Sequence, residues 1–419
     1  MKEVKIVSKR FDIEGINHIK KAIEHGAYST IHKMFDKDPK TIVDEIDKSG
    51  LRGKGGGGAP TGAKWKLMLQ DFKLPKVLVI NCDENEPGTF KDRQIISKDP
   101  HLLIEGIILT SYAIGANDVY IYIRGEYHQW QNILQKACDE AYLQGYLGKN
   151  ILGSKYRVDI TICKGAGAYI CGEKSALLES LEGKRGHPRL KPHQKEPEWY
   201  FGRPTLVNNV ETIATVPFIV ENGADAYKEY GTSKSPGSML FAMSGHINNP
   251  GVYEAEFGTS MMEYIEYYGG GIKGGNLKGV IPGGASTPIL NATEVAKAKL
   301  DYESIKELGS SLGTGGMIVM NDSVNMVEAL KNLLEFYHHE SCGQCTPCRE
   351  GTAWVDEIVE SMLRYSASYN SIEQLLQIGQ TMNGKTICVF APAVSGVIDG
   401  FVKKFRSEFE EYLRGVCNE

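Results

Sequence analysis

Apolar positions spaced three and four apart run through residues 13–49, with Ile19, Ala22 and Ile23 followed by Ile42 and Ile46. That period predicts a leading helical arm. The texture then changes, because Lys76-Val77-Leu78-Val79-Ile80 is a short, continuous, β-branched run of the kind a sheet buries. Two similar runs, residues 118–123 and 157–162, flank a helical pattern over residues 131–143. Strand, helix, strand in that order predicts an α/β fold with a mostly parallel sheet. Short strands at 239–243 and 251–255 surround an Asn248-Asn249-Pro250-Gly251 turn, and a short helix is predicted over 261–268. This predicts a small β-grasp-like module. Helical periodicity returns over 325–336, 354–362, 372–382 and 391–413, which predicts a helical bundle. With 419 residues the chain exceeds what one core organises, and the predicted division is 1–236, 237–320 and 321–419.

The bundle carries the strongest chemical signal. In Glu340-Ser341-Cys342-Gly343-Gln344-Cys345-Thr346-Pro347-Cys348-Arg349-Glu350-Gly351 three cysteines stand at C-x-x-C-x-x-C spacing, and Cys388 follows in Lys385-Thr386-Ile387-Cys388-Val389. Three thiolates from one loop reach three corners of an iron–sulfur cubane, and the fourth iron takes a ligand from elsewhere. A zinc site, which more often uses two separated C-x-x-C knuckles, is the alternative, with buried thiols as the plainest one. His338 and His339 read as the polar end of the preceding helix. Of the other cysteines, Cys82, Cys138, Cys163, Cys171 and Cys417, most read as small core residues.

Two glycine-rich stretches change the picture of the α/β part. Residues 50–65 combine seven glycines with Arg52, Lys54 and Lys64, so backbone can approach a phosphate closely, and a helix starting near Thr61 would add its dipole. The alternative is a linker. Gly165-Ala166-Gly167-Ala168-Tyr169-Ile170-Cys171-Gly172-Glu173-Lys174 is a second glycine turn feeding a helix. Between them, Asn81-Cys82-Asp83-Glu84-Asn85-Glu86 places three carboxylates at a strand's carboxyl end, where open α/β sheets bind ligands. These could bond ribityl hydroxyls or a nicotinamide carboxamide, or form an acidic helix-capping turn. Asn208 and Asn209 precede a further helix and could cap it or bond a ligand.

Charge and hydropathy narrow the setting. The net charge of −5 without a basic, aromatic-interleaved stripe argues against nucleic acid as a partner. The amino terminus lacks an apolar signal region, and the longest apolar segment, residues 102–123, carries Glu105 and Asp118 and is broken by glycines. A cytoplasmic protein with no membrane span of its own is expected, attached to the inner membrane, if at all, through other subunits.

Together these stretches resemble the NADH-binding flavoprotein subunit of respiratory complex I and its relatives in soluble hydrogenases and formate dehydrogenases. The resemblance covers nearly the whole chain. It implies FMN in the α/β domain, a ubiquitin-like module next, and a [4Fe–4S] cluster in the bundle. It further implies that Gly53, Gly55, Gly56, Gly57, Lys64, Asn81, Asp83, Glu84, Asn208, Asn209 and Thr212 hold FMN. Glu86 and Glu173, with Tyr169, Gly172 and Lys174 beside them, would line the face where the nicotinamide docks. Cys342, Cys345, Cys348 and Cys388 would ligate the cluster. NAD(H) or NADP(H) gives two electrons as hydride whereas a cubane takes one at a time, so the flavin stands between them and no side chain acts as a general base. Implied partners are a thioredoxin-like [2Fe–2S] subunit and a larger multi-cluster subunit, because no cysteine precedes Cys82 and only Cys417 follows Cys388.

Three positions depart from the family pattern. Ala59 and Leu67 stand where aromatic residues stack on adenine, and Lys174 stands where a second acid follows Glu173. The departures raise two alternatives, a preference for NADPH and a relay that has lost its nucleotide site. A non-catalytic assembly subunit with a structural cluster is a third.

Overall fold

The leading helical arm is made of three short helices. The computed structural model describes residues 3–190 and 196–414, and Cys417 lies outside them. Helices α1 (Ile19–Glu24), α2 (Ser29–Met34) and α3 (Pro39–Ser49) are separated where Tyr28 takes a left-handed backbone, φ 63°, and where Pro39 opens a new helix. Their buried faces join one core with the sheet behind them.

The α/β part follows as α4 (Thr61–Leu67), β1 (Lys76–Cys82), α5 (Asp92–Lys98), α6 (Pro100–Ile114), β2 (Ala116–Ile123), α7 (His128–Leu143), β3 (Asp159–Lys164), α8 (Lys174–Leu181), β4 (Glu198–Tyr200), β5 (Arg203–Asn209), α9 (Val210–Asn222) and α10 (Ala224–Lys228). The sheet order is β3-β2-β1-β5-β4, parallel except for β4. The apolar segment 102–123 is therefore a buried helix and a strand, divided at Gly115, whose φ of 74° ends α6. Strand β5 is the main element that sequence reasoning misses: it lies directly beside β1, although Pro204 is a residue that rarely enters a strand. From β1 the chain turns one way to β2 and β3, while β5 and β4 lie on the other side. The carboxyl end of β1 is thus the switch point where such sheets open a crevice.

The second unit comprises β6 (Ser238–Gly245), β7 (Gly251–Glu256), α11 (Met261–Tyr267), β8 (Leu277–Ile281), β9 (Leu290–Asn291), α12 (Ala292–Val295), α13 (Tyr302–Glu307) and β10 (Gly316–Asn321). Its sheet order is β7-β6-β10-β8-β9, with β6 and β10 parallel and the other pairs antiparallel. The Tyr264 hydroxyl of α11 donates to the carbonyls of Phe241 and Tyr253, which fixes that helix across the sheet. The last unit is a bundle of α14 (Met326–Glu340), α15 (Thr346–Leu363), α16 (Ser371–Met382), α17 (Phe390–Lys404) and α18 (Arg406–Arg414). Helix α15 starts inside the cysteine loop, with Pro347 in its first turn, so Cys348 is helical rather than on a free loop.

One carboxylate ties the amino terminus to the second unit. Glu254 on β7 accepts the N–H groups of Ile6, Val7 and Ser8 and the hydroxyls of Ser8 and Ser238, all between 2.6 and 3.1 Å. Glu254→Ala leaves buried N–H groups without an acceptor, at about 1–3 kcal/mol each. The expected result is a loss of about 3 kcal/mol in urea unfolding and earlier proteolytic cleavage before α1.

Candidate functional site

The glycine loop is shaped by what packs against it. A Cβ at Gly55 would stand 3.0 Å from the Asn209 Cβ, and one at Gly58, φ 58°, would enter the Tyr302 ring at 2.5 Å. Arg52 braces the loop by stacking on Tyr302 at 3.8 Å and pairing with Glu303 at 2.7 Å. Beyond the loop lies a cavity of about 520 Å³ at the carboxyl ends of β1 and β5. Its far walls come from Ser286 and Thr314 of the second unit and from Cys388 and Phe390 at the start of α17.

Below the loop sits a fully buried charge network. The Lys54 and Lys91 ammonium groups converge on Glu211 at 3.3 and 2.8 Å, and Lys91 also meets Asp92 at 2.8 Å. Asn209 donates to Asp92 at 2.6 Å, while its own oxygen caps α9 by accepting from Glu211 N and Thr212 N. Desolvation works to strip the proton from Lys91, but Asp92, Glu211 and Glu84 outweigh it and hold its pKa above the ordinary value. Glu84 accepts from Asp92 N, Arg93 N and the Tyr127 hydroxyl, so it caps α5, and the acidic turn is in part a helix cap. Burial nevertheless raises the Glu84 pKa.

Asp83 is the exception. Both of its carboxylate oxygens are buried and accept no well-formed hydrogen bond, as is true of Asn85 Oδ1. Burial pushes the Asp83 carboxyl up to about 7, although the nearby Asn85 amide and Arg124 ease its charge. Buried acceptors facing a cavity are completed by a ligand that brings donors, and a polyhydroxyl chain does so. Glu86, in contrast, is engaged on both oxygens, by the Tyr169 hydroxyl at 2.5 Å and the Ser286 N–H at 2.6 Å. Burial is the larger influence on it and raises its pKa despite these bonds.

Of the residues singled out from the sequence, Lys54, Gly55, Gly56, Gly57, Asn81, Asp83, Glu84, Glu86, Tyr169, Gly172, Glu173, Asn209 and Cys388 line this cavity. The others stand behind it or apart from it. Gly53 accepts from the Tyr302 hydroxyl, and Thr212 Oγ1 accepts from Lys54 N. Lys64 reaches the Val207 carbonyl and Asn208 Oδ1 at 2.7 and 3.1 Å. Lys174 pairs with Glu198 at 2.8 Å. No residue of helix α4 lines the cavity, and Thr61 N is bonded to Leu51 O. Glu173 caps α8 through Ser175 N and Ala176 N, both at 2.9 Å. Sequence reasoning misses Lys91, Asp92 and Glu211.

Cys342, Cys345, Cys348 and Cys388 line a second, smaller cavity together with Ile170 and Phe390. A single zinc ion needs ligand atoms about 2.3 Å from one point. Among the described residues no three His, Cys, Asp or Glu side chains converge in that way. Four thiols around a shared space instead suit a multi-iron cubane. Burial raises the Cys388 thiol to about 11. Ile170, Cys388 and Phe390 belong to both cavities, so one wall separates them. His338 and His339 stay outside, with His338 near Asp356, in keeping with a helix end. Cys82, Cys138 and Cys171 are buried and Cys163 is half-buried.

A ligand crevice of mixed polar and apolar lining at a parallel sheet's switch point, one wall away from a four-cysteine cluster site, defines a flavin and iron–sulfur electron-transfer protein. Residues 46–218 match the Nuo51 FMN-binding domain, 239–319 an SLBB domain, and 328–412 the NADH-ubiquinone oxidoreductase-F iron-sulfur binding region. The F subunit of the NADH-quinone oxidoreductase of Rickettsia bellii is 46% identical over 403 residues, covering 96% of this chain and 97% of its own. Its counterpart in Rickettsia felis is 46% identical over 399 residues, covering 95% and 94%. Among solved structures, an NAD+-reducing [NiFe]-hydrogenase in the H2-reduced state superposes with a TM-score of 0.85 at 33% identity, covering 98% of this chain and 67% of that one. The chain belongs to the family of NADH-quinone oxidoreductase F subunits, the NADH-oxidising flavoproteins that admit electrons to a multi-subunit complex through FMN and a [4Fe–4S] cluster.

Replacing Lys91 with Met strands Asp92 and part of Glu211 in the interior. Breaking a buried pair in this way costs about 3–5 kcal/mol. Thermal melting of Lys91→Met should show that loss, and adding Asp92→Asn should recover part of it.

Proposed function

We propose that the 520 Å³ cavity seats FMN and admits the nicotinamide of NADH, and that Cys342, Cys345, Cys348 and Cys388 hold the cluster that drains it. The observation that carries this reading is the unpartnered, buried carboxylate of Asp83 in a cavity that shares a wall with four cysteines. FMN, when bound, accepts hydride and releases electrons singly. The chain positions, screens and balances charge. Gly55, Gly56 and Gly57 offer close backbone approach, while Asn81, Asp83 and Asn209 present polar atoms to the ligand. Gly53, Lys64, Asn208 and Thr212 hold those residues in place from behind. Glu86, locked by Tyr169 and Ser286, and Glu173, locked as a helix cap, give the nicotinamide side fixed acceptors.

NADH is the donor in this reading. The Lys174–Glu198 pair offsets the positive charge that would otherwise favour a 2′-phosphate. Electrons then leave toward a thioredoxin-like [2Fe–2S] subunit and a larger multi-cluster subunit. Ile387 and Val389, which flank Cys388, are 38% and 77% exposed and offer an apolar surface beside the cluster for such a neighbour. No helix among the described residues is long and apolar enough to cross a membrane, so membrane attachment would run through those partners.

The anaerobically purified protein should carry one FMN and about four iron per chain, with the flavin bleached by NADH. Cys388→Ser should lower iron while flavin stays. Iron and sulfide without a yellow chromophore would overturn the reading.

Asp83 gives the pH dependence. In the flavin-free protein its carboxyl holds a proton up to about pH 7. Hydroxyl donors favour the ionised form, so binding expels that proton and affinity rises as pH climbs toward 7. The phosphate titrates in wild type and variant alike. Fluorescence titrations of FMN between about pH 5.5 and about 8 should therefore show a slope about one proton smaller for Asp83→Asn.

A further inference from the structure

The cysteine loop contains a hydroxyl whose own hydrogen is left for sulfur. Ser341, at the carboxyl end of α14, accepts from the Gly343 N–H at 3.4 Å. An amide can only donate, so the Ser341 oxygen is the acceptor in that bond and its hydrogen is directed elsewhere. The same oxygen stands 3.3 Å from Cys348 Sγ. As a cluster ligand Cys348 is a thiolate without a hydrogen, so the serine must be the donor. Cys348 is buried in the first turn of α15, which keeps water from competing for the sulfur.

The other motif cysteines are treated differently. Cys345 Sγ accepts from the Ile387 N–H at 3.4 Å, a backbone contact that no side-chain substitution removes. At Cys342 the carbonyl is contacted, by Arg185 and His187 at 3.4 and 3.2 Å. Ser341 is thus a side-chain donor set on a ligand sulfur.

We propose that Ser341 is a positioning residue that sets the reduction potential of the cluster, an inference that rests on the cluster assignment above. Reduction adds one electron to the cluster, and part of that charge spreads onto the cysteine sulfurs. A hydrogen bond to Cys348 Sγ is stronger in the reduced state, so it favours reduction and raises the midpoint. The consequence for the working protein is direction. A higher cluster midpoint draws single electrons across the wall at Ile170 and Phe390 and away from the flavin cavity.

The test is an EPR-monitored redox titration of the intact flavoprotein, with iron, sulfide and FMN counted on the same samples. Ser341→Ala should move the cluster midpoint to more negative potential at unchanged iron and FMN content. Ser341→Thr, which keeps the hydroxyl, should restore it toward the wild-type value. Ser341→Gly is the second variant without a hydroxyl and should match Ala. A midpoint unmoved in Ala or Gly at full cluster content overturns the proposal. So does loss of the cluster in both with retention in Thr, since the hydroxyl would then be structural. Absence of a cluster in the wild-type protein would instead sink the cluster assignment itself, which separates the two failures.

Discussion

Two ammonium groups without access to water, and the carboxylates that hold them, are what the cavity depends on. Lys54 comes from the glycine loop, Lys91 and Asp92 from the end of the acidic turn, and Glu211 from the first turn of α9. Glu211 also accepts the Leu240 N–H at 2.8 Å, which brings in the first strand of the second unit. A buried charge is tolerated only beside its partner, so four segments distant in sequence are locked to one point. The glycines above that point can then be permissive in backbone without being mobile. Hydride transfer depends on donor and acceptor held within a fraction of an ångström, and a rigid floor of this kind provides it.

The three units meet where the chemistry is. Glu86 leaves the α/β sheet and is fixed by Ser286 of the second unit and Tyr169 of the first. Tyr169 in turn packs edge-on against Phe336 and Phe390 of the bundle, and its N–H is held by Glu340 at 3.0 Å. Tyr169, which fixes Glu86 on the cavity wall, therefore also touches the helices that carry the cysteine loop. Nothing in this arrangement needs a moving part. The wall between the two cavities is built from packed side chains, Ile170 and Phe390 with Tyr169 against them.

How much of this is legible in the sequence follows from which forces are local. The cysteine spacing, the glycine stretches, strand β1 and the paired asparagines at 208 and 209 are written in short windows and are readable there. Strand β5 is not, because Pro204 and the capping asparagines make its window read as a loop. Its strand character comes from lying between β1 and β4. The arm reads as helical because its apolar period is local, whereas its division at Tyr28 and Pro39 comes from backbone geometry. Lys91, Asp92 and Glu211 look like ordinary surface charges, since only the tertiary fold removes them from water. The acidic turn reads both as ligand site and as cap. Glu84 is engaged as a cap while Asp83 is left with bare oxygens, so each reading belongs to a different residue.

The Glu254 clamp has a consequence for biosynthesis. Its bonds to Ile6, Val7 and Ser8 span 246 to 248 positions of sequence, so those residues leave the ribosome long before their acceptor exists. At about 5–20 residues per second that delay is on the order of 12–50 s, during which the nascent amino terminus has no docking place. Ile6, Val7 and Ser8, although made early, are thus among the last residues to find their partner.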